Sequence, residues 1–165
     1  MNSDKDIVIT SAFRTPIGSF QGSLKDHKAT ELGTAVVKKC MEHSNLNGSE
    51  VDTVILGQVL QTGCGQNPAR QAAINSGIDK DKTATTINQV CGSGLAAITL
   101  GFNSLKLNDT NIVIAGGQES MTNSPHYLNY RMEKNLSEEK LKDSMLIDGL
   151  IDAYDDYHMG VTAEN

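Results

Sequence analysis

Four short runs of β-branched and aliphatic residues, separated by stretches with helical spacing, constrain the fold of this chain more than any other feature. The runs lie at 6–13 (containing I-V-I-T-S-A-F), 53–60 (T-V-I-L-G-Q-V-L), 83–90 (T-A-T-T-I-N-Q-V) and 111–117 (N-I-V-I-A-G-G). Runs of this length, bounded by Gly, Pro, Asn or Asp, read as strands. From Thr30, apolar Leu32, Val36 and Cys40 recur while Lys38, Lys39 and Glu42 face elsewhere, which predicts an amphipathic helix ending near the 45–48 loop. Asn67 is placed to cap a second helix with Pro68 at its first position, small Ala69, Ala72 and Ala73 within it, and Gly77 at its stop. A third helix is expected at 92–107. Leu95, Ile98, Phe102 and Leu105 form its stripe, and Ala96, Ala97, Leu100 and Gly101 fill the remainder, so it is expected deep inside the protein.

This order predicts an α/β fold with a mostly parallel sheet covered by helices, in which 6–13 is a buried strand. After Gly117 the texture becomes polar and irregular. Ser137 is expected to open a charged helix, with Leu136 and Leu141 as a hydrophobic staple. We therefore divide the chain into an α/β unit at 1–120 and a second subregion at 121–165.

Composition removes several function classes. Fourteen basic against twenty acidic residues give a net charge of −6, which argues against nucleic acid as a partner. The first residues lack the basic start and apolar stretch of a secretory signal, and the longest apolar segment, 94–102, is too short to cross a bilayer. Three cysteines, Cys40, Cys64 and Cys91, cannot all pair within one chain, which points to a reducing, cytoplasmic setting. The four histidines, His27, His43, His126 and His158, show no ligand spacing, so no metal is expected.

The window N-Q-V-C-G-S-G at 88–94 places Cys91 where a strand gives way to a helix. Partial positive charge at a helix N-terminus favours thiolate, the form that attacks a carbonyl. Gly92 and Gly94 leave room for a substrate near the backbone, and the Cys91 N–H is placed to donate to an oxyanion, as covalent acyl transfer requires. The plain alternative is a small buried cysteine. A different rival comes from Gly92, Gly94 and Ala97, which satisfy the dinucleotide fingerprint G-x-G-x-x-A with Glu119 as a ribose acid. The fingerprint normally opens its domain, whereas two strand-helix pairs precede it here, and it gives no reason for the cysteine.

Five segments in order then resemble the thiolase family, and in particular its N-terminal part: R-T-P-I-G-S-F at 14–20, G-Q-N-P-A-R-Q at 65–71, N-Q-V-C-G-S-G-L at 88–95, A-G-G-Q-E-S-M at 115–121 and Y-H-M-G-V-T-A-E-N at 157–165. The resemblance implies an acyltransferase of the acetyl-CoA C-acetyltransferase kind, with a layered fold of two similar α/β halves and an acyl-thioester intermediate on Cys91. Coenzyme A thioesters would be substrates, with no covalently bound cofactor. It further implies that 121–165 begins a loop domain over the coenzyme, with Leu150, His158 and Met159 by the pantetheine arm and acyl pocket. Core packing is the competing reading for Leu150 and Met159.

The family's activating histidine, its second cysteine and the last strand of its first half match nothing in these 165 residues, so the segment alone is expected to be inactive. A non-catalytic relic is the remaining alternative. The 131–139 stretch departs from the family's inter-dimer loop, which makes a homodimer, formed through the strand before Cys91, the expected assembly rather than a tetramer. Cys64 also departs from the usual small or polar residue and is expected to pack or face a partner. Arg14, in its Pro turn, is read as a structural salt bridge, and Asp148, Asp152, Asp155 and Asp156 as a solvated acidic helix face rather than a calcium loop.

Overall fold

A computed structural model describes residues 6–132 and 137–165. Three parallel strands form the sheet in the order β2-β1-β3: β1 is Thr53–Gly57, β2 is Thr83–Ile87 and β3 is Val113–Gly117. Register is direct, with Thr53 facing Thr83 on one side and Val113 on the other. Helix α1 (Ala29–His43) precedes the sheet, α2 (Pro68–Asn75) joins β1 to β2, and α3 (Ser93–Lys106) joins β2 to β3. Because the second crossover runs back across β1, right-handed connections put α2 and α3 on opposite faces.

All five β1 residues are buried, as expected of a central parallel strand. Val54 and Leu56 pack with Val37 and Met41 of α1 and with Ala69, Ala72 and Ala73 of α2, and this cluster is the main core. Residues alternating with them face α3. Helix α2 begins as its sequence predicts. Asn67, left-handed at φ 41°, accepts from the Arg70 N–H at 3.2 Å and donates through Nδ2 to the Ala84 carbonyl at 2.9 Å, which ties the helix start to β2. It ends at Gly77, whose φ of +99° and N–H bond to the Ile74 carbonyl close the last turn.

Two expectations about the apolar runs fail. Residues 6–13 form no strand, and Val8 and Ile9 are 70% and 82% exposed. A strand needs a ladder partner, and no described residue supplies one. The run instead lies along the end of α1, where Thr10 Oγ1 meets Ser44 Oγ at 3.1 Å and Phe13 packs edge-on against His43. Helix α3 is not deep inside either. Only Ser93, Ala97 and Gly101 are buried, while Leu95, Ile98, Leu100 and Phe102 are exposed. Its smallest side chains face the sheet: a Cβ on Gly101 would lie 3.0 Å from Val113 Cγ1. Close approach selects the small stripe, and the larger residues turn outward.

Beyond Met121, a 3-10 turn and two short antiparallel strands, β4 (His126–Tyr127) and β5 (Lys142–Asp143), replace the expected organisation. The charged helix reduces to a single 3-10 turn, Glu138–Lys140, and Leu136 lies outside the described residues. Pairing of Lys142 with Tyr127, and bonds from the Ser144 N–H and hydroxyl to the Pro125 carbonyl, draw this stretch into extended structure. A π-helical turn, Leu146–Leu150, and a short helix α4, Met159–Ala163, complete the order. The acidic residues share no helix face: Asp148 lies on the π-helical turn and accepts from the Thr62 hydroxyl. The Asp152 carboxylate accepts from the Tyr154 and Asp155 N–H groups, and Asp156 is left-handed, so they build a turn. Among the described residues no helix is long and apolar enough to cross a membrane.

Candidate active site

The C-terminal ends of β1, β2 and β3 point to one edge of the sheet, beside the strand where the connection reverses direction, which is where open α/β sheets place ligands. β2 leads there into a turn that displays Cys91. Val90 has φ 47°, a left-handed conformation that costs a β-branched residue about 1–3 kcal/mol. Three side-chain bonds hold it. Asn88 Oδ1 accepts from the Val90 N–H at 2.9 Å, Ser93 Oγ accepts from the Gln89 N–H at 2.8 Å, and the Ser93 hydroxyl donates to the Val90 carbonyl at 2.6 Å. The Gly92 and Ser93 N–H groups bond back to the Gln89 and Val90 carbonyls. None of these bonds uses the N–H of Cys91, and its side chain is exposed. The cysteine therefore stands just ahead of α3 with thiol and amide both uncommitted by the turn.

Cys91 opens onto a cleft shared with Gly57, Val59, Gly94, Gly117 and Glu119. Gly57 lets α3 rest on the end of β1 at the floor of this cleft. A Cβ on Gly57 would lie 2.5 Å from Ser93 Cβ and 2.6 Å from the Ser93 carbonyl carbon, and one on Gly117 would lie 3.6 Å from the Gly94 Cα. Gly57→Ala should lower stability by about 1–3 kcal/mol, because the clash is with helix backbone that cannot rotate away. Urea denaturation measures this, and an unchanged midpoint would show that α3 sits farther from β1.

Glu119 is the other ionisable residue of this cleft. Its carboxylate accepts from the Val59 N–H at 2.8 Å and the Leu60 N–H at 3.2 Å, bracing the segment after β1 against the end of β3. Both oxygens are thus occupied by the chain's own backbone, which counts against the rival reading of Glu119 as a ribose acid. Gly94 lies over the end of β3, where a Cβ would make ordinary contact at 4.0 Å with Gly116 backbone. Burial pushes the Glu119 carboxyl above its ordinary value, and the two N–H donors only partly offset this. The folded protein then holds this proton more tightly than the unfolded chain. The contribution of Glu119 to stability is full below the ordinary value of 4.5 and falls as pH rises through the raised value. The stability of the wild type minus that of Glu119→Gln should therefore decline as pH rises above the ordinary value of 4.5 in urea titrations; a flat difference would show an unshifted carboxyl.

Two site residues lacked attention in the sequence. Gln58 and Gln118, both buried, bond to each other beneath the cleft, Gln118 Nε2 donating to Gln58 Oε1 at 2.8 Å. Each follows a strand-ending glycine, and that repeated Gly-Gln pair was the available signal. Gln58 Nε2 also reaches the Leu60 carbonyl at 2.8 Å and Cys64 Sγ at 3.2 Å, so Cys64 is packed and bonded within its own chain.

The remaining candidates sit apart from Cys91. Leu150 ends the π-helical turn, Ile151 bridges to His158, and His158 Nδ1 accepts from the Gly160 N–H at 2.9 Å at the start of α4, where Met159 follows. The three are thereby brought to one hairpin-like loop, and none lines the Cys91 cleft. The π-helical turn does approach that cleft, since Thr62 Oγ1 donates to Asp148 Oδ2 at 3.1 Å and a Cβ on Gly149 would lie 3.9 Å from Val59 Cγ1. His126 faces Asp143 at 3.8 Å across β4 and β5. Arg14 reaches only the Thr15 carbonyl and forms no ion pair among the described residues, contrary to the salt bridge expected of it. Among the described residues no three His, Cys, Asp or Glu side chains gather as metal ligands.

The family described as "Thiolase, N-terminal domain" matches residues 7–165. A probable acetyl-CoA acetyltransferase of Escherichia coli is 52% identical over 162 residues, covering 98% of this chain and 41% of that protein. An acetyl-CoA acetyltransferase of Pseudomonas aeruginosa is 51% identical over 162 residues, with the same coverage. The crystal structure of Acat5 thiolase from Ascaris suum in complex with coenzyme A superposes with a TM-score of 0.89 at 40% identity, over 97% of this chain and 42% of that one. The chain spans about two fifths of the length of these relatives. With its parallel sheet, its exposed cysteine ahead of α3 and a match over nearly every residue, this chain belongs to the thiolase family, whose N-terminal domain it carries.

Proposed function

We propose that this segment is the nucleophile-bearing part of an acetyl-CoA C-acetyltransferase. In the complete protein Cys91 takes an acyl group from acyl-coenzyme A, and the acyl-enzyme condenses with a second acetyl-CoA to give acetoacetyl-CoA or runs the reverse thiolysis. The observation that carries this reading is the display of Cys91 on a strained, triply braced turn over a glycine-floored cleft, in a chain half identical to proteins named acetyl-CoA acetyltransferases.

The thiolate of Cys91 attacks the thioester carbonyl, the carbonyl oxygen becomes an oxyanion, and the Cys91 N–H is a donor for it. Collapse expels the coenzyme A thiolate, which takes up a proton, and leaves a thioester on Cys91. Exchange of one thioester for another is nearly balanced in free energy, so the cysteine is a suitable temporary carrier.

Within this reading, 1–120 is the catalytic α/β half and 121–165 the beginning of a loop domain that covers the coenzyme. Leu150, His158 and Met159 contact the pantetheine arm and acyl pocket, and their shared loop, next to a π-helical turn that nears the cleft, supports this assignment. β2 bonds only to β1 among the described residues, leaving an edge on which two copies pair as a homodimer. Fatty-acid metabolism in the cytoplasm is the corresponding setting. The test is peptide mass spectrometry of a protein carrying this segment after exposure to acetyl-CoA. An acetyl group on the Cys91 peptide is expected, and acetyl confined to Cys64 or Cys40 would overturn the assignment.

A further inference from the structure

We infer that Ser93 is a positioning residue, whose hydroxyl holds Val90 in its left-handed conformation and so aims the Cys91 thiol and amide into the cleft. The inference rests on Cys91 as the nucleophile but concerns how it is displayed. Ser93 is the first residue of α3 and is buried, although a surface helix start ordinarily leaves a serine solvated. Its oxygen accepts from the Gln89 N–H and donates to the Val90 carbonyl, so it ties the peptide between Asn88 and Gln89 to the peptide after Val90. The dihedrals of Gln89 and Val90 lie between these two peptide units, so the link restrains Val90 at its positive φ. Asn88 Oδ1 fixes the Val90 N–H from the other side.

A valine at φ 47° relaxes to negative φ once these bonds are removed, because its Cβ clashes in the left-handed region. Such a flip turns the bond from Cys91 Cα to Cβ and carries the thiol out of the cleft it now lines. Glycine at the same place has no such clash and needs no latch. The two positions are therefore coupled: the loss of the Ser93 hydroxyl matters only while residue 90 is β-branched.

The test is a double-mutant cycle on the full 165-residue chain, read as the rate of iodoacetamide alkylation of Cys91 by peptide mass spectrometry. Cys64, half-buried in the same sample, is the internal reference for general loosening. S93A should slow Cys91 alkylation about tenfold in the wild-type background and by less than about threefold in the V90G background, with the Cys64 rate unchanged. An equal effect of S93A in both backgrounds would show that the hydroxyl does not act through Val90 and would overturn the inference. So would a gain in the Cys64 rate that tracks the change at Cys91, which marks loosening of the whole domain, or no effect of S93A at all. Alkylation needs no acyl substrate, so failure here is distinguishable from failure of the acyl-transfer reading, which is decided by the acetyl adduct.

Discussion

In a protein that carries this segment, Cys91→Ser should eliminate the acyl-enzyme and lower turnover by a factor on the order of 10⁴ or more. The substitution changes one atom. Nothing that packs α3 on the sheet involves Sγ, which is exposed, so the fold should survive while a hydroxyl replaces the proposed nucleophile. Nothing in the cleft replaces the lost reactivity. Glu119, its other ionisable group, has both carboxylate oxygens on backbone N–H groups and is not free to deprotonate a serine. Cys64 cannot substitute either, since its sulfur bonds Gln58 Nε2 and lines a different pocket. Intact-mass measurement after incubation with acetyl-CoA, with circular dichroism as the folding control, gives the answer. A stable acetyl adduct on the variant, or turnover within tenfold of the wild type, would remove Cys91 from the mechanism.

The reach of the sequence was set by how local each signal is. Helix α2 was legible to the residue, because Asn67, Pro68 and Gly77 act through their own backbone and nearest carbonyls. The order α1-β1-α2-β2-α3-β3 within 29–117 is legible in the sequence too, since each element carries its own periodicity and breakers. The 6–13 run has strand composition without forming a strand, because β-branched composition states only that a segment suits a sheet, while strand formation depends on a distant partner. In α3 the apolar content was evident but its facing was not. Gly101 and Ala97 meet the sheet at distances no larger side chain tolerates, and that selection is made by β1 and β3 rather than by the helix itself. Near the site, Cys91 stood out through its flanking glycines. The Ser93 latch and the Gln58–Gln118 pair did not, since a buried polar residue declares itself only through partners that are distant in sequence or through a backbone angle. The acidic cluster at 148–156 was read as a helix face because charge gives no periodicity of its own, whereas Asp152 in fact caps a turn.

The purified 165-residue chain should release coenzyme A from acetyl-CoA or acetoacetyl-CoA at a rate lower than a complete thiolase by a factor on the order of 10⁴ or more. Condensation requires a nucleophile, a base to take the α-proton of the second acetyl-CoA, and donors for two oxyanions. The cleft as the described residues form it offers Cys91 with its N–H and a backbone-bound Glu119. His126 is held opposite Asp143, and the His158 ring caps α4 through Nδ1, so neither histidine faces the thiol. Removing one oxyanion donor costs about a hundredfold or more, and losing general acid-base help a similar factor, which together give the stated deficit. Packing adds to it. Leu95, Ile98 and Phe102 form an uncovered stripe on α3, Leu100 is exposed beside it, and the outer edges of β2 and β3 are unpaired among the described residues, so the chain should also associate as its concentration rises. Release of free thiol followed with a chromogenic reagent, alongside Cys91→Ala and sedimentation at several concentrations, separates these effects. Robust turnover by a monomer that depends on Cys91 would mean that the base and the second oxyanion site lie within these 165 residues after all.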